Sequence, residues 1–116
     1  MTTGVARVVF LVTVPQSRAE DFLAAYELIR HEVADGVPGH LVDQVCRSED
    51  DPEQWLITSE WRSLEHFRAW EQTDGHRELA APLRACMTGA RSLKFDVVRE
   101  TRGRSLATHH LTTRQE

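Results

Sequence analysis

The ten residues 5–14, VARVVFLVTV, form an almost unbroken apolar run rich in β-branched side chains. A strand that faces water on one side alternates apolar and polar residues, whereas an unbroken apolar run is typical of a strand buried on both faces. Pro15 ends the run, because proline supplies no backbone N–H to a sheet. The chain must therefore fold so that other parts of the protein, or a second copy of it, cover both faces of its first strand. Few architectures meet this requirement.

The segment after Pro15 has the spacing of an amphipathic helix. Ser17 followed by Glu20 matches a capping box, which predicts that the helix starts at Ser17. Gly36 and Pro38 predict its end. The apolar side chains that recur at helical spacing and form its predicted buried stripe are Phe22, Tyr26, Ile29 and Val33.

A hairpin and a broken helix follow in the sequence. Residues 40–48 and 54–61 have strand-like composition and are joined by an acidic turn, which predicts a β-hairpin. Ser63 predicts the cap of the next helix, which is expected to break around residues 73–75. Pro82 is expected at a kink or a helix start, because it lacks the N–H that an interior position needs.

Residues 92–100 predict a fourth strand. The resulting order of strand, helix, strand, strand, broken helix and strand predicts a ferredoxin-like α+β fold, a split βαβ antiparallel sheet with its helices on one face. Helices cover only one face of such a sheet, although the first and third strands are apolar on both. A second copy of the same sheet is the simplest cover, so a homodimer is expected.

The length of 116 residues supports one domain, expected over residues 1–102, followed by a polar C-terminal tail over residues 103–116. Net charge is −4, with the arginines scattered among acids, so nucleic-acid binding is not expected. No apolar run approaches bilayer length and no secretory signal is evident, so we expect a cytoplasmic protein without membrane contact. The two cysteines, Cys46 and Cys86, lack metal-ligand spacing and are expected to be free and buried. No zinc or nucleotide-binding pattern occurs, so no metal and no nucleotide cofactor is expected.

Two segments of the sequence resemble the antibiotic biosynthesis monooxygenase (ABM) family of dimeric α+β barrels: VPGHLVDQVCRSEDDPEQWLITSEW and SLEHFRAWEQTDGHRELAAPL. The resemblance covers roughly residues 5–100. The family includes oxygenases that convert anthrones or quinols into quinones without a cofactor, as well as haem-degrading enzymes and polyketide cyclases. In the oxygenases an apolar pocket binds a flat phenol, and the deprotonated substrate reduces dioxygen directly. The resemblance therefore implies a small aromatic substrate and dioxygen as partners, with no cofactor.

Individual positions of this sequence match positions that line the pocket in members of the family. Trp61 matches the tryptophan that ends the third strand and lines the pocket of anthrone-oxidising members. Trp70 matches a tryptophan of haem-degrading relatives, and Phe67 stands where an oxygenase pocket can carry tyrosine. Phe10 and Ile57 stand where relatives carry asparagine, and this chain contains no asparagine. Haem degradation is therefore not expected, although each of these side chains is also suited to an ordinary core.

Three polar residues are candidates for the chemistry. His76 follows a predicted helix break, and its ordinary pKa near neutrality suits a base; the alternative is a solvated position beside a helix cap. Gln44 is a candidate oxyanion donor in place of the missing asparagine, or else a polar residue at the dimer interface. Tyr26 either directs its hydroxyl into the cleft or belongs to the core. His40 is expected at the surface, and Trp55 at a rim or dimer contact.

The sequence and the resemblance together predict a cofactor-independent monooxygenase. Its expected substrate is an electron-rich phenolic polyketide intermediate, with an anthrone or quinol oxidised to a quinone. A non-redox polyketide cyclase or aromatase that uses the same aromatic cleft is the main alternative. A non-catalytic dimer that only binds ligand is the third.

Overall fold

Four strands and three helices follow one another in the computed structural model, which describes residues 4–103. The four strands form one antiparallel sheet in the order β2-β3-β1-β4. All three helices pack against one face, which confirms the predicted ferredoxin-like α+β fold. In chain order the elements are β1 (Ala6–Thr13), α1 (Ala19–Gly36), β2 (His40–Arg47), β3 (Gln54–Trp61), α2 (Leu64–Glu71), α3 (Asp74–Arg84) and β4 (Gly89–Asp96).

The start of α1 differs from the prediction. Gln16–Arg18 form a 3₁₀ turn that is closed by the Arg18 N–H donating to the Pro15 carbonyl at 2.8 Å. The α-helix begins only at Ala19, and its N-cap residue makes no side-chain capping hydrogen bond. The predicted capping box at Ser17 is therefore wrong, because the tight turn after Pro15 uses the residues that would have formed it.

The two later helices each have a side-chain N-cap, which the sequence predicts for Ser63 but not for Thr73. The Ser63 hydroxyl accepts a hydrogen bond from the His66 N–H at 3.2 Å, and the Thr73 hydroxyl accepts one from the His76 N–H at 3.1 Å. The predicted break at residues 73–75 is the boundary between α2 and α3. Pro82 lies in the last turn of α3, so the predicted helix start at this residue is wrong.

The core lies between the sheet and the helices. Phe22, Tyr26 and Val33 of the predicted α1 stripe are buried, and Ile29 is partly buried. Trp55 is only 5% exposed and its ring centroid lies 5.3 Å from that of Phe22, so the predicted rim or dimer position for Trp55 is wrong.

The opposite face of the sheet, which we call the open face, carries the alternate residues of each strand. Val9 and Leu11 of β1 lie on it, and Phe95 of β4 is 51% exposed there. Arg7 forms an ion pair with Glu60 on the same face. This apolar surface is the feature that motivated the predicted homodimer, which stays a prediction because the structure is of one chain.

Three further predictions concern the cysteines, membrane-spanning helices and the C-terminal tail. Both cysteines are free as expected, but Cys46 is exposed while Cys86 is buried. Within residues 4–103 no helix is long and apolar enough to span a membrane. Of the predicted tail at residues 103–116, all but Gly103 lies outside the described residues.

Candidate functional site

A cavity of about 190 Å³ lies between the sheet and the three helices. Strand alternation explains which sheet residues reach it, because β1, β2 and β3 each direct every second side chain toward the helices. The cross-strand pairs Phe10 with Ile57 and Val8 with Ser59 place these four side chains on that face. The sheet residues that line the cavity are Val8, Phe10, Asp43, Ile57, Ser59, Trp61 and Ser92.

The structure brings together most of the residues that the sequence singled out. His76 lines the cavity, and so do all six predicted substrate-binding residues. Their roles stay predictions, but their convergence on one space is a structural fact. These six are Phe10, Tyr26, Ile57, Trp61, Phe67 and Trp70.

Trp61, Phe67 and Trp70 form the aromatic wall of the cavity. The Trp61 ring stacks on Trp70 at a centroid distance of 5.9 Å and an interplanar angle of 27°. Phe67 meets Trp61 edge-on at 5.4 Å. Trp61 is only 1% exposed, and its indole N–H donates to the Ser59 hydroxyl at 2.9 Å. Trp61 is therefore both core and cavity lining, and because its N–H is already used it offers a ligand only ring surface.

His76 sits on the first turn of α3, held there by the Thr73 cap. Its ring meets Trp70 edge-on at a centroid distance of 4.6 Å. Its Nδ1 is buried and has no hydrogen-bond partner among the described residues. Burial lowers the pKa of His76, and the nearby Arg84 lowers it further, while Glu71 acts in the opposite direction. The imidazole is therefore neutral at pH 7 and able to accept a proton.

Gln44 does not reach the cavity. It is exposed and pairs with Thr58, whose side chain also lies on the open face. The arrangement therefore does not support the predicted role of Gln44 as an oxyanion donor. The neighbouring residue, Asp43, pairs with Ser59 and lines the cavity instead.

Tyr26, Asp43 and His40 form a buried polar cluster that the sequence analysis missed. The Tyr26 hydroxyl donates to Asp43 Oδ2 at 2.6 Å, and Asp43 Oδ1 lies 3.7 Å from His40 Nε2. The side chains of His40 and Asp43 are 9% and 14% exposed, so the predicted surface position of His40 is wrong. His40 packs edge-on against Trp61 at 5.1 Å, which places it behind the aromatic wall.

Burial dominates the electrostatics of this buried polar cluster. It raises the pKa of Asp43, while the Tyr26 hydrogen bond and the neighbouring His40 act to lower it. The pKa of Tyr26 is also raised, first by burial and then by Asp43. Tyr26 is therefore a neutral donor at physiological pH. Within residues 4–103 no three histidine, cysteine or acidic side chains lie together in a way that could hold a metal ion.

The fold and the cavity together define a class of protein, an antiparallel α+β domain that encloses an aromatic cavity between its sheet and its helices. Residues 6–82 match the family model described as antibiotic biosynthesis monooxygenase, and the chain belongs to this family. The resemblance predicted from the sequence is thereby confirmed.

Three Streptomyces proteins are similar to this chain. It is 46% identical over 97 residues to the "42.8 kDa protein in whiE locus" of Streptomyces coelicolor, covering 84% of this chain and 24% of that protein. It is 42% identical over 95 residues to protein SchA of Streptomyces halstedii, covering 82% of this chain and 25% of SchA. It is 44% identical over 97 residues to polyketide synthase CurD of Streptomyces cyaneus, covering 84% and 26%. The chain thus spans about a quarter of the length of these relatives.

Solved structures share the fold at low sequence identity. SnoaB of Streptomyces nogalater, described as a cofactor-independent oxygenase, superimposes with a TM-score of 0.73 at 21% identity, covering 84% of this chain and 96% of that one. A conserved protein of Methanosarcina mazei superimposes with a TM-score of 0.76 at 17% identity, covering 82% and 94%. At these identities the likeness establishes the fold alone.

Proposed function

We propose that this protein is a cofactor-independent monooxygenase that oxidises an electron-rich phenolic polyketide intermediate. Membership of the family supports the reaction class. The substrate class is supported by the similar polyketide synthase CurD of S. cyaneus. The observation that carries the proposal is His76, a neutral imidazole that borders an aromatic cavity and whose buried Nδ1 has no partner within residues 4–103.

The proposed reaction begins when His76 accepts a proton from the bound phenol or anthrone. The resulting anion transfers an electron to dioxygen, and the two radicals combine to form a peroxide anion on the ring carbon. This anion takes the proton back from His76 and becomes a hydroperoxide. Loss of water then gives the quinone, so one oxygen atom enters the product as a carbonyl and the other leaves as water. The return of the proton restores His76 as the base before water is lost, and the hydrogen that remains on that ring carbon leaves with the terminal oxygen in the water.

The aromatic wall serves this chemistry in two ways. Stacked rings bind a flat substrate through dispersion and ring-to-ring contacts. They also exclude water, so that the anion is held by fixed groups of the protein and not by mobile solvent. Trp61 and Trp70 are therefore the proposed binding surface, while His76 is the proposed catalytic residue.

A non-redox polyketide cyclase is the second candidate. The absence of asparagine favours it, because the oxygenases that this chain resembles use that residue in their sites, and none of the three curated relatives is named as an oxygenase. A cyclase would use the same cavity and the same proton transfer, but it would consume no dioxygen.

The full chain should be assayed with an anthrone and with a hydroquinone, in air and under argon. Oxygenation predicts consumption of one dioxygen per anthrone converted into anthraquinone, and no product under argon. Removing a positioned base costs roughly 10²- to 10⁴-fold in rate, so His76→Ala should lose turnover on that scale. His31→Ala is the matched control, because His31 is exposed on α1.

Each other outcome has a meaning. Equal turnover under argon would replace the oxygenase with the cyclase. Full activity in His76→Ala would remove His76 from the mechanism. Tight ligand binding with no conversion under either atmosphere would indicate a protein that only binds its ligand.

A further inference from the structure

The buried polar cluster has unused hydrogen-bonding capacity beside the cavity. Asp43 Oδ2 accepts from Tyr26, but Oδ1 is 3.7 Å from His40 Nε2, which is longer than a hydrogen bond. His40 Nε2 is itself buried without a partner among the described residues. A buried polar group without a partner costs stability, so its persistence beside the cavity-lining Asp43 points to a ligand or to a proton that moves.

The groups that face Asp43 do not neutralise the negative charge that its side chain would carry when ionised. From α1 it meets the neutral Tyr26 hydroxyl and, farther off, Arg30, which forms an ion pair with Glu27 at 3.2 Å. From its own strand it meets only His40. With one hydrogen bond from Tyr26 and no charged group of residues 4–103 closer than His40, burial disfavours the carboxylate relative to the neutral acid.

The protonation state decides what Asp43 can do for a ligand. A carboxylate only accepts hydrogen bonds, whereas a carboxylic acid also donates one. Because Oδ2 already accepts the hydrogen bond from Tyr26, the acid's proton belongs on Oδ1 of this cavity-lining side chain. A neutral donor in an apolar cavity is well suited to hold an oxygen on which negative charge develops.

We propose that Asp43 is a second catalytic residue of this cavity, a carboxylic acid that donates a hydrogen bond to a carbonyl or phenol oxygen of the substrate. Tyr26 and His40 are its positioning residues. The inference rests on the proposed function and deepens it, because it assigns the substrate an oxygen acceptor in addition to the proton that His76 removes. A flat hydroxyaryl ketone fits both requirements. Asp43 would thus fill the donor role for which this chain has no asparagine.

The decisive variant is Asp43→Asn, with Asp43→Leu beside it. Asparagine keeps the size of the side chain and an acceptor oxygen for Tyr26, and it presents a permanent N–H donor. Asp43→Asn should therefore retain most of the turnover and abolish the loss of activity that ionisation of Asp43 causes as pH rises. Asp43→Leu should lose roughly 10²- to 10³-fold in kcat, the cost of removing one such donor.

Binding gives a readout that does not depend on turnover. Anthraquinone, a flat diketone without ionisable groups, can be titrated against tryptophan fluorescence over a series of increasing pH values. Wild-type affinity should fall as pH rises, while that of Asp43→Asn stays flat. Asp35→Asn is the control and should follow the wild type, because Asp35 is exposed on α1. Glu71, His76 and Arg84 also face the cavity and are unchanged in every variant.

The outcomes separate this inference from the proposed function. If Asp43→Asn loses as much turnover and affinity as Asp43→Leu, the carboxylate acts as an acceptor or base and the inference is overturned. Affinity that is independent of both pH and Asp43 would also overturn it, even in an active oxygenase. If the pH trend holds but no dioxygen is consumed, the oxygenase proposal fails while the donor role of Asp43 stands.

Discussion

At the scale of single residues, removing the hydrogen bond from the Tyr26 hydroxyl to Asp43 should shift the pKa of Asp43 in a defined direction. Its hydrogen bond stabilises the ionised form of Asp43 and so acts against the rise in pKa that burial causes. Tyr26→Phe should therefore raise the pKa of Asp43 further, because the charged form loses the stronger hydrogen bond. The pH above which turnover and anthraquinone affinity fall should move upward.

The measurement for Tyr26→Phe is the pH profile of kcat/KM set beside that of the wild type. A purely structural role for Tyr26 would lower the whole profile without moving its alkaline limb. A shift of that limb to lower pH would contradict the assignment of Asp43 as a neutral donor. Because Tyr26 is 4% exposed and the change removes only an oxygen, the fold should persist.

At the scale of elements, the junction between α1 and β2 depends on Gly39. Its φ is +85°, and a Cβ built there would lie 2.3 Å from the His66 ring on α2. Gly39→Ala should lower the free energy of unfolding by about 1–3 kcal/mol from the left-handed backbone alone, with a further loss from the overlap. Chemical denaturation monitored by circular dichroism measures this.

Gly36 is the matched control for that variant. It is the last residue of α1, and a Cβ there meets nothing within 4 Å. Gly36→Ala should therefore be neutral or stabilising by about 0.4–1 kcal/mol, because it restricts the unfolded chain without strain. Equal destabilisation by the two substitutions would contradict the role assigned to the contact between Gly39 and His66.

Several elements were predictable because local chemistry determines them. The bounds of β3 agree with the prediction, since an acidic turn precedes the strand and a cap at Ser63 follows it. β4 begins at Gly89 and not at residue 92, because pairing with the full length of β1 extends it, and such pairing leaves no trace in the sequence of β4.

The candidate site was predictable where side chains are apolar and large. Trp61 and Trp70 could be assigned to one cleft, since the end of β3 and one face of α2 both place a large side chain there. The choice between Gln44 and Asp43 could not be made, because β2 carries polar residues on both faces and a register shift lies between His40 and Val42. Only the packing of α1 determines which of the two faces is covered.

At the scale of the whole molecule, the open face predicts assembly. An exposed apolar sheet face is a typical interface, so the full chain should be a homodimer that buries on the order of 2,000 Å² in total. Light scattering during gel filtration measures its mass. Phe95→Asp should convert the dimer into a monomer, because it places a charge on the exposed apolar surface of the open face.

Leu28 provides the control for Phe95→Asp. It is 62% exposed, but it lies on α1 and away from the open face. Leu28→Asp should leave the mass unchanged. A wild-type chain that is monomeric at micromolar concentration would refute the predicted dimer.

The alternation of side chains along β1 has a consequence for how such proteins diverge. Val8 and Phe10 line the cavity, whereas Val9 and Leu11 face the other way, so the sheet acts as a partition one residue thick. Mutations at one set of positions alter the lining of the cavity, and mutations at the other set alter the open face, where the predicted dimer would form. The two properties can therefore be inherited and selected almost independently, so a lineage could change the shape of its cavity and keep its open face intact.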